Sequence, residues 1–249
     1  MSAAASETWL VLGASSGIAR AFARVAAAAG ADMVLAGRDA EDLARTASDL
    51  SLRFGQRAAT MAFDAQDPGM AEALAKRCAT LAGPLHAFIA FAVMPDQESA
   101  ERDPGLLRRL MEVNVTAVAT AVCTLVPILA ARGGGCIVVV GSVAGDRGRA
   151  RNFLYGASKA ALATLAEGLR ARWWREGVTV TLLKPGFVDT AMTWATPTPL
   201  PAARPEAVAA RALAAARRGR AVVYAPPLWR LIMMVIRAMP TALFNRLRF

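Results

Sequence analysis

Thr8-Trp-Leu-Val-Leu12, running directly into Gly13-Ala-Ser-Ser-Gly17-Ile18-Ala19, decides the fold of this 249-residue chain. Five mostly apolar residues read as a short buried strand, and the alanine-rich run that follows, to about Ala29, reads as a helix. Between them, glycines let the backbone turn tightly and approach a ligand closely. The new helix N-terminus presents unpaired N–H groups and the positive end of its dipole, which together suit a pyrophosphate. Ser15 and Ser16 add hydroxyl donors to the same turn. A glycine turn alone is a common pattern; its meaning depends on whether strand and helix keep alternating downstream.

They do. Met33 to Ala36 is a second strand, Asp39 to about Phe54 an amphipathic helix, and Arg57 to Phe63 a third strand. A helix over Pro68 to about Leu81 leads to a fourth strand at Ala87 to Phe91, and a helical region over Pro104 to Ala131 to a fifth at Cys136 to Gly141. The long helix from Phe153 to Trp174 precedes a sixth strand at Val178 to Leu183; a helix after Pro205 and a seventh strand at Ala221 to Tyr224 follow. Apolar strands alternating with helices predict an α/β chain: a Rossmann-type doubly wound parallel sheet of about seven strands with helices on both faces. Residues 1–225 form a single nucleotide-binding domain carrying its own catalytic site, and residues 226–249 a basic apolar tail. Val113 to Ala131 contains no charged residue and scores like a membrane span. Its Asn114, Thr116, Thr120, Thr124 and Pro127 fit a buried helix better, one that also suits a subunit interface.

The end of the second strand selects the cofactor. An acidic residue there binds the 2′-hydroxyl of NAD, whereas an arginine accepts the 2′-phosphate of NADP. This chain has Gly37-Arg38, so NADP(H) is favoured over NAD(H), with a solvated loop charge as the other reading of Arg38. Asp39 is equally well explained as the N-cap of the next helix.

The chain holds only two tyrosines, and one of them stands in Tyr155-Gly-Ala-Ser-Lys159 with one of three lysines. Residues four apart share a helix face, so the Lys159 ammonium is expected beside the Tyr155 phenol. A cation at that range lowers a phenol's pKa from about 10 toward neutrality.

With Gly13 and Gly17, Asn114, Ser142, Tyr155, Lys159 and Pro185-Gly186-Phe-Val188-Asp-Thr190 in this order, the chain resembles the short-chain dehydrogenase/reductase family over almost its whole length. The resemblance implies that Ser142 hydrogen-bonds the reacting carbonyl, Tyr155 donates the proton, Lys159 holds the cofactor ribose and tunes the phenol, and Asn114 anchors a relay water. It also implies cofactor contacts at Ile18, Asp64, Ala65, Pro185, Gly186, Val188 and Thr190. Two departures stand out: Ala19 replaces the third turn glycine, and Ala90-Phe91-Ala92-Val93 replaces the usual Asn-Asn-Ala-Gly, which makes Phe91 and Ala92 less secure as cofactor contacts. Within the family, Ala144 to Phe153 and Ala225 to Arg237 with Pro240 and Phe244 look like the decaprenylphosphoryl keto-sugar reductase branch. That branch implies reduction of the 2-keto sugar of a lipid-linked phosphopentose, a step in cell-envelope biogenesis that completes a 2′-epimerisation begun by a flavin-dependent oxidase.

The charge of +10 is unevenly placed. No carboxylate side chain follows Glu206, yet Arg211, Arg217, Arg218, Arg220, Arg230, Arg237, Arg246 and Arg248 do. An anionic partner is implied. Without an aromatic stacking platform, nucleic acid is a poor fit and an anionic membrane surface a better one. Leu228 to Ile236, with Trp229 and flanking arginines, suits a helix in the headgroup region or one packed on a neighbouring subunit of a homo-oligomer. Arg147, Arg149 and Arg151, between Ser142 and Tyr155, can grip a substrate phosphate or form a solvated turn. Cys78, Cys123 and Cys136 lack metal spacing, and the single histidine, His86, argues against a metal site. The start shows no cationic segment followed by an apolar one, so a cytoplasmic enzyme, peripheral at the inner face of the membrane, is expected. Two alternatives stay open: a soluble reductase of 3-oxoacyl chains or other carbonyls, and a non-catalytic cofactor-binding subunit, which would not need Asn114, Ser142, Tyr155 and Lys159 together.

Overall fold

The first strand, β1 (Thr8–Leu12), is buried along its whole length and turns through Gly13 to Ser16 into α1 (Gly17–Ala28). This computed structural model describes residues 6–194 and 200–246; readings that concern the first five residues or Arg248 lie outside the described residues. The chain continues through β2 (Asp32–Gly37), α2 (Ala40–Phe54), β3 (Ala58–Ala62), α3 (Met70–Ala79) and β4 (Leu85–Ile89). Then come α4 (Gln97–Arg102), α5 (Pro104–Met111), a π-helical turn (Glu112–Thr116), α6 (Ala117–Ala131) and β5 (Gly135–Val140). After a 3₁₀ turn (Val143–Gly145) lie α7 (Phe153–Trp173), β6 (Val178–Pro185), α8 (Pro205–Arg217), β7 (Val222–Ala225), α9 (Leu228–Ala238) and α10 (Thr241–Phe244).

All seven strands pair parallel in the order β3-β2-β1-β4-β5-β6-β7. One face is covered through Ala117, Leu125, Leu162 and Leu169 of α6 and α7, with Leu74 of α3; the other through Phe22, Leu43 and Leu213 of α1, α2 and α8. This is the Rossmann-type doubly wound sheet the sequence predicts. Strand order reverses between β1 and β4, opening the crevice beyond their C-terminal ends where such folds bind ligands.

Two local differences have physical causes, and one expectation holds. β4 stops at Ile89, because Asn114 takes hold of the Val93 backbone and draws the following residues off the sheet. The short α4 escaped the sequence reading; it is set by Asp96, whose carboxylate accepts from the Ser99 N–H at 3.0 Å. The long stretch from Pro104 to Ala131 is apolar and long enough to cross a membrane, but α6 buries Val118, Val122, Leu125 and Leu129 in the core.

The C-terminal residues are not a free appendage. Trp229 and Met233 of α9 are buried with Val143, and Phe187, Tyr224, Ile232 and Ile236 pack around them. The indole of Trp229 lies over Gly186, where a Cβ would stand 1.8 Å from Nε1.

Candidate active site

Ser142 follows β5, and its hydroxyl accepts from the Ala144 N–H at 3.1 Å to start the 3₁₀ turn. Two glycines let this turn lie directly on α7. A Cβ at Gly145 would come within 2.7 Å of the Lys159 carbonyl carbon and the Ala160 nitrogen, and one at Gly156 within 2.8 Å of the Ala144 carbonyl oxygen. That close approach brings Ser142 near Tyr155, and the serine hydroxyl eases ionisation of the phenol in part.

Tyr155 and Lys159 are both buried, one turn apart on α7. The Lys159 ammonium donates to the Val140 carbonyl at 2.9 Å and lies 5.6 Å from the centre of the tyrosine ring. Burial pushes the Tyr155 phenol up to about 12, against a partial pull-back from Ser142, and brings Lys159 down to about 8. The lysine-driven depression of the phenol that the sequence predicts is not found. Desolvation outweighs the cation because the ammonium is aimed at a backbone carbonyl rather than at the phenol oxygen.

Asn114 is fully buried within the π-helical turn. Its amide accepts from the Val93 N–H and donates to the Val93 carbonyl, both at 2.8 Å, and also donates to the Ser158 hydroxyl at 3.1 Å. Ser158 in turn donates to the Tyr155 carbonyl at 2.7 Å. One side chain therefore fastens the segment after β4 to the helix carrying Tyr155. Every polar position of that amide is engaged within the protein except one acceptor site on the oxygen.

At the first turn Gly13 has φ +78, and a Cβ there would strike the Phe91 nitrogen at 2.7 Å, so the turn and the segment after β4 require a glycine between them. Phe91 also packs on Phe63, with ring centres 5.3 Å apart. An apolar wall thus occupies the place of the side-chain amides that the family pattern puts there. Ser16 caps α1, accepting from the Ala19 N–H at 3.3 Å, which leaves the N–H groups of Gly17 and Ile18 without an intrahelical acceptor. Buried Ala19 makes the close helix packing for which the pattern uses a third glycine. Ser15 reaches across the strand end, its hydroxyl 3.4 Å from where a Gly37 Cβ would be. Next to it, Arg38 is exposed and pairs with no carboxylate among the described residues. Asp39 caps α2 through the Asp42 N–H. Asp64 is exposed after β3, accepting from the Gln66 N–H, and Ala65 packs on the core.

From the far side comes the segment after β6. Pro185 ends the strand beside Ala225, Val188 is buried and bridges to Ala203, and Thr193 bonds the Val188 carbonyl. Thr190 then reaches α1, its Cγ2 only 2.8 Å from a Cβ placed on Gly17. The structure brings the first turn, Arg38, the Ser142–Tyr155–Lys159 group and the Pro185–Thr190 segment around one crevice. The cradle of free N–H groups, glycine backbone and an unpaired arginine fits a nicotinamide dinucleotide.

The three loop arginines diverge. Arg147 turns to the end of α9, donating to the Ile236 and Met239 carbonyls, the latter at 2.6 Å, and stacks on Phe244. Arg149 is half-buried, with an Nε that has no hydrogen-bond partner among the described residues, and Arg151 is exposed. Sequence reasoning also missed a buried cluster: Asp146 accepts from Lys184 at 2.5 Å and from Tyr224 at 2.8 Å. The scarcity of lysine and tyrosine that singled out Tyr155 and Lys159 applied equally to Lys184 and Tyr224.

A parallel Rossmann sheet with a serine beside a buried tyrosine, a neighbouring lysine and a dinucleotide crevice defines an NAD(P)(H)-dependent oxidoreductase. Residues 7–200 match the family described as short chain dehydrogenase, and the chain belongs to that family. An uncharacterized oxidoreductase of Mycobacterium tuberculosis is 35% identical over 222 residues, covering 88% of this chain and 89% of that one. Among solved structures, a short chain dehydrogenase/reductase of Burkholderia phymatum in complex with NAD has a TM-score of 0.82 at 26% identity, covering 92% of each chain. A Beutenbergia cavernae structure described as an NAD(P)-dependent gluconate 5-dehydrogenase, with NADP bound at low occupancy, also gives 0.82 at 26% identity, covering 92% of this chain and 98% of that one.

Proposed function

We propose that this enzyme uses NADPH to reduce a ketone to a secondary alcohol, and that its substrate is a polyprenyl-phosphate-linked 2-keto pentose. The observation that supports the reaction is the Ser142–Tyr155–Lys159 group: a serine hydroxyl just past β5 beside a buried phenol, with a buried ammonium one turn along α7. The nicotinamide cofactor supplies the hydride. As negative charge develops on the ketone oxygen, Ser142 stabilises it by a hydrogen bond and Tyr155 delivers a proton to it. With its phenol raised to about 12, Tyr155 is protonated at neutral pH and starts the reaction as the donor, and the charge developing on the ketone oxygen must draw the proton across. Lys159 is assigned the cofactor ribose, and Asn114 is assigned a positioning role, keeping the segment after β4 against α7.

Arg38 supports NADP(H), since its unpaired guanidinium beside Ser15 suits a 2′-phosphate. Arg38→Ala should shrink the preference for NADPH over NADH ten-fold or more, a loss on the order of 1.5–3 kcal/mol for a charged hydrogen bond. An unchanged ratio would remove Arg38 from the site.

The substrate rests on the second-half resemblance and on Arg149, whose unpartnered buried Nε suits a sugar-linked phosphate. In this reading a flavin-dependent oxidase supplies the ketone, the arginine-rich C-terminal surface meets an anionic membrane, and the outer face of α6 joins two copies of the chain. Purified protein should oxidise NADPH with a polyprenyl-phosphoryl keto-pentose at a kcat/KM well above that for 3-oxoacyl thioesters. The reverse order would make it a soluble carbonyl reductase.

A further inference from the structure

Three strands away from the β4 side of the crevice, the β7 edge of the sheet carries a cleft of about 520 Å³. Arg211, Arg218, Arg220 and Arg230 line it, with Val222 and Tyr224 as its floor. Among the described residues none of these arginines pairs with a carboxylate; Arg211 makes one long bond, 3.4 Å, to the Tyr224 carbonyl. Four like charges around one concavity repel each other, and this arrangement favours an anion that takes charge-assisted bonds from several guanidinium groups at once.

The cleft runs into an apolar surface. Arg230 stands on α9, and at 100° per residue the face beside it carries Met234, Leu231, Val235 and Leu228 in turn. All four are more than half exposed, while Trp229 and Met233 on the opposite side hold the helix to the body. Arg237 continues the charged border one heptad beyond Arg230. A row of arginines beside a row of aliphatic side chains matches a ligand with a phosphate at one end and hydrocarbon at the other. Nucleic acid offers the phosphate but nothing for the aliphatic row. A second copy docked antiparallel on this face would set the Arg230 and Arg237 border of one copy against that of the other.

We propose that the cleft between α8, β7 and α9 is a binding site for the phosphate of an anionic lipid, with Leu228, Leu231, Met234 and Val235 entering the acyl region of the bilayer. This assignment rests on the membrane contact proposed above, gives it a specific site, and holds whichever ketone the enzyme reduces. The test is flotation of the full chain with vesicles of phosphatidylcholine alone and with one quarter phosphatidylglycerol, at 0.1 M and 0.5 M salt. Binding should need the anionic lipid and fall several-fold at the higher salt. Arg218→Glu with Arg220→Glu should weaken it at least ten-fold, and Leu231→Ser with Val235→Ser comparably, each with an unchanged melting temperature, since all four side chains are exposed. Equal binding to both vesicle types, or charge-reversed protein that still floats, would overturn the proposal. So would displacement from vesicles by millimolar inorganic phosphate, which would make the cleft a site for free phosphate. Protein that ignores vesicles but self-associates, and dissociates on Leu231→Ser with Val235→Ser, would make the face a contact between copies.

Discussion

At the scale of single residues, the site is governed by burial. Tyr155→Phe removes the proposed proton donor and nothing else on that helix, so ketone reduction should fall at least a hundred-fold while NADPH affinity, read by fluorescence titration, changes within a few fold. Lys159 makes a prediction of a different kind. Its ammonium titrates near 8 in the folded protein and near 10.5 when exposed, so between those values the unfolded chain binds the extra proton. Stability contributed through this group therefore rises with pH across about 8 to 10.5 and is lowest below 8. Urea unfolding of the wild type should show that rise, and Lys159→Met should flatten it. Above pH 10 the sign reverses through Tyr155 and Tyr224, both raised to about 12, because the unfolded chain then loses protons the native state keeps.

At the scale of elements, sequence pattern and structure agree where a feature repeats and part where it depends on contact at a distance. The βα alternation is legible because buried parallel strands must be apolar throughout, as in Cys136 to Val140. The crevice residues were legible as well, since Gly13, Arg38, Ser142 and Thr190 all fall at strand ends or just beyond. What could not be read is where a flexible charge points. Arg147 stands in the loop expected to meet substrate, yet its nearest acceptors are the last carbonyls of α9, some ninety residues away in sequence. Equally, nothing local marks Ser158 as the link between Asn114 and Tyr155, or Asp146 as the partner of Lys184. The Arg147 cap is testable. Arg147→Ala should speed amide hydrogen exchange over α9 about ten-fold or more, with α7 little changed, and Arg147→Lys should recover only part of the protection, because an ammonium cannot reproduce the planar guanidinium stacked on Phe244.

For the whole molecule, the C-terminal helix belongs with the site. α9 seals Val143, one residue from Ser142, and Phe187 and Gly186, within the segment that closes on α1. Reading residues 226–249 as a tail missed this, because an apolar run bordered by arginines looks alike whether it faces lipid or its own protein. Here one side faces the protein, burying Trp229 and Met233, and the other stays open, exposing Leu231 and Val235. A chain ending at Ala225 loses the burial of Met233 and Trp229, about 1.5–3 kcal/mol for a side chain of that size. It should melt several degrees lower in calorimetry. It should also lose turnover on short soluble ketones as much as on lipid-linked ones. Full activity toward soluble ketones in that truncation would detach α9 from the site.

The π-helical turn at Glu112–Thr116 has a consequence for how this chain can vary. Such a turn holds about one residue more than a regular one. Losing a residue there would let the hydrogen-bond ladder close into ordinary α-helix, an improvement for the helix taken by itself. It would also swing α5 roughly 100° about the axis relative to α6. Asn114 could then no longer face Val93 and Ser158 while Leu110 and Val118 kept their places in the interior. What this helix cannot change at that point is its residue count. The irregularity is a spacer whose length is the information it carries.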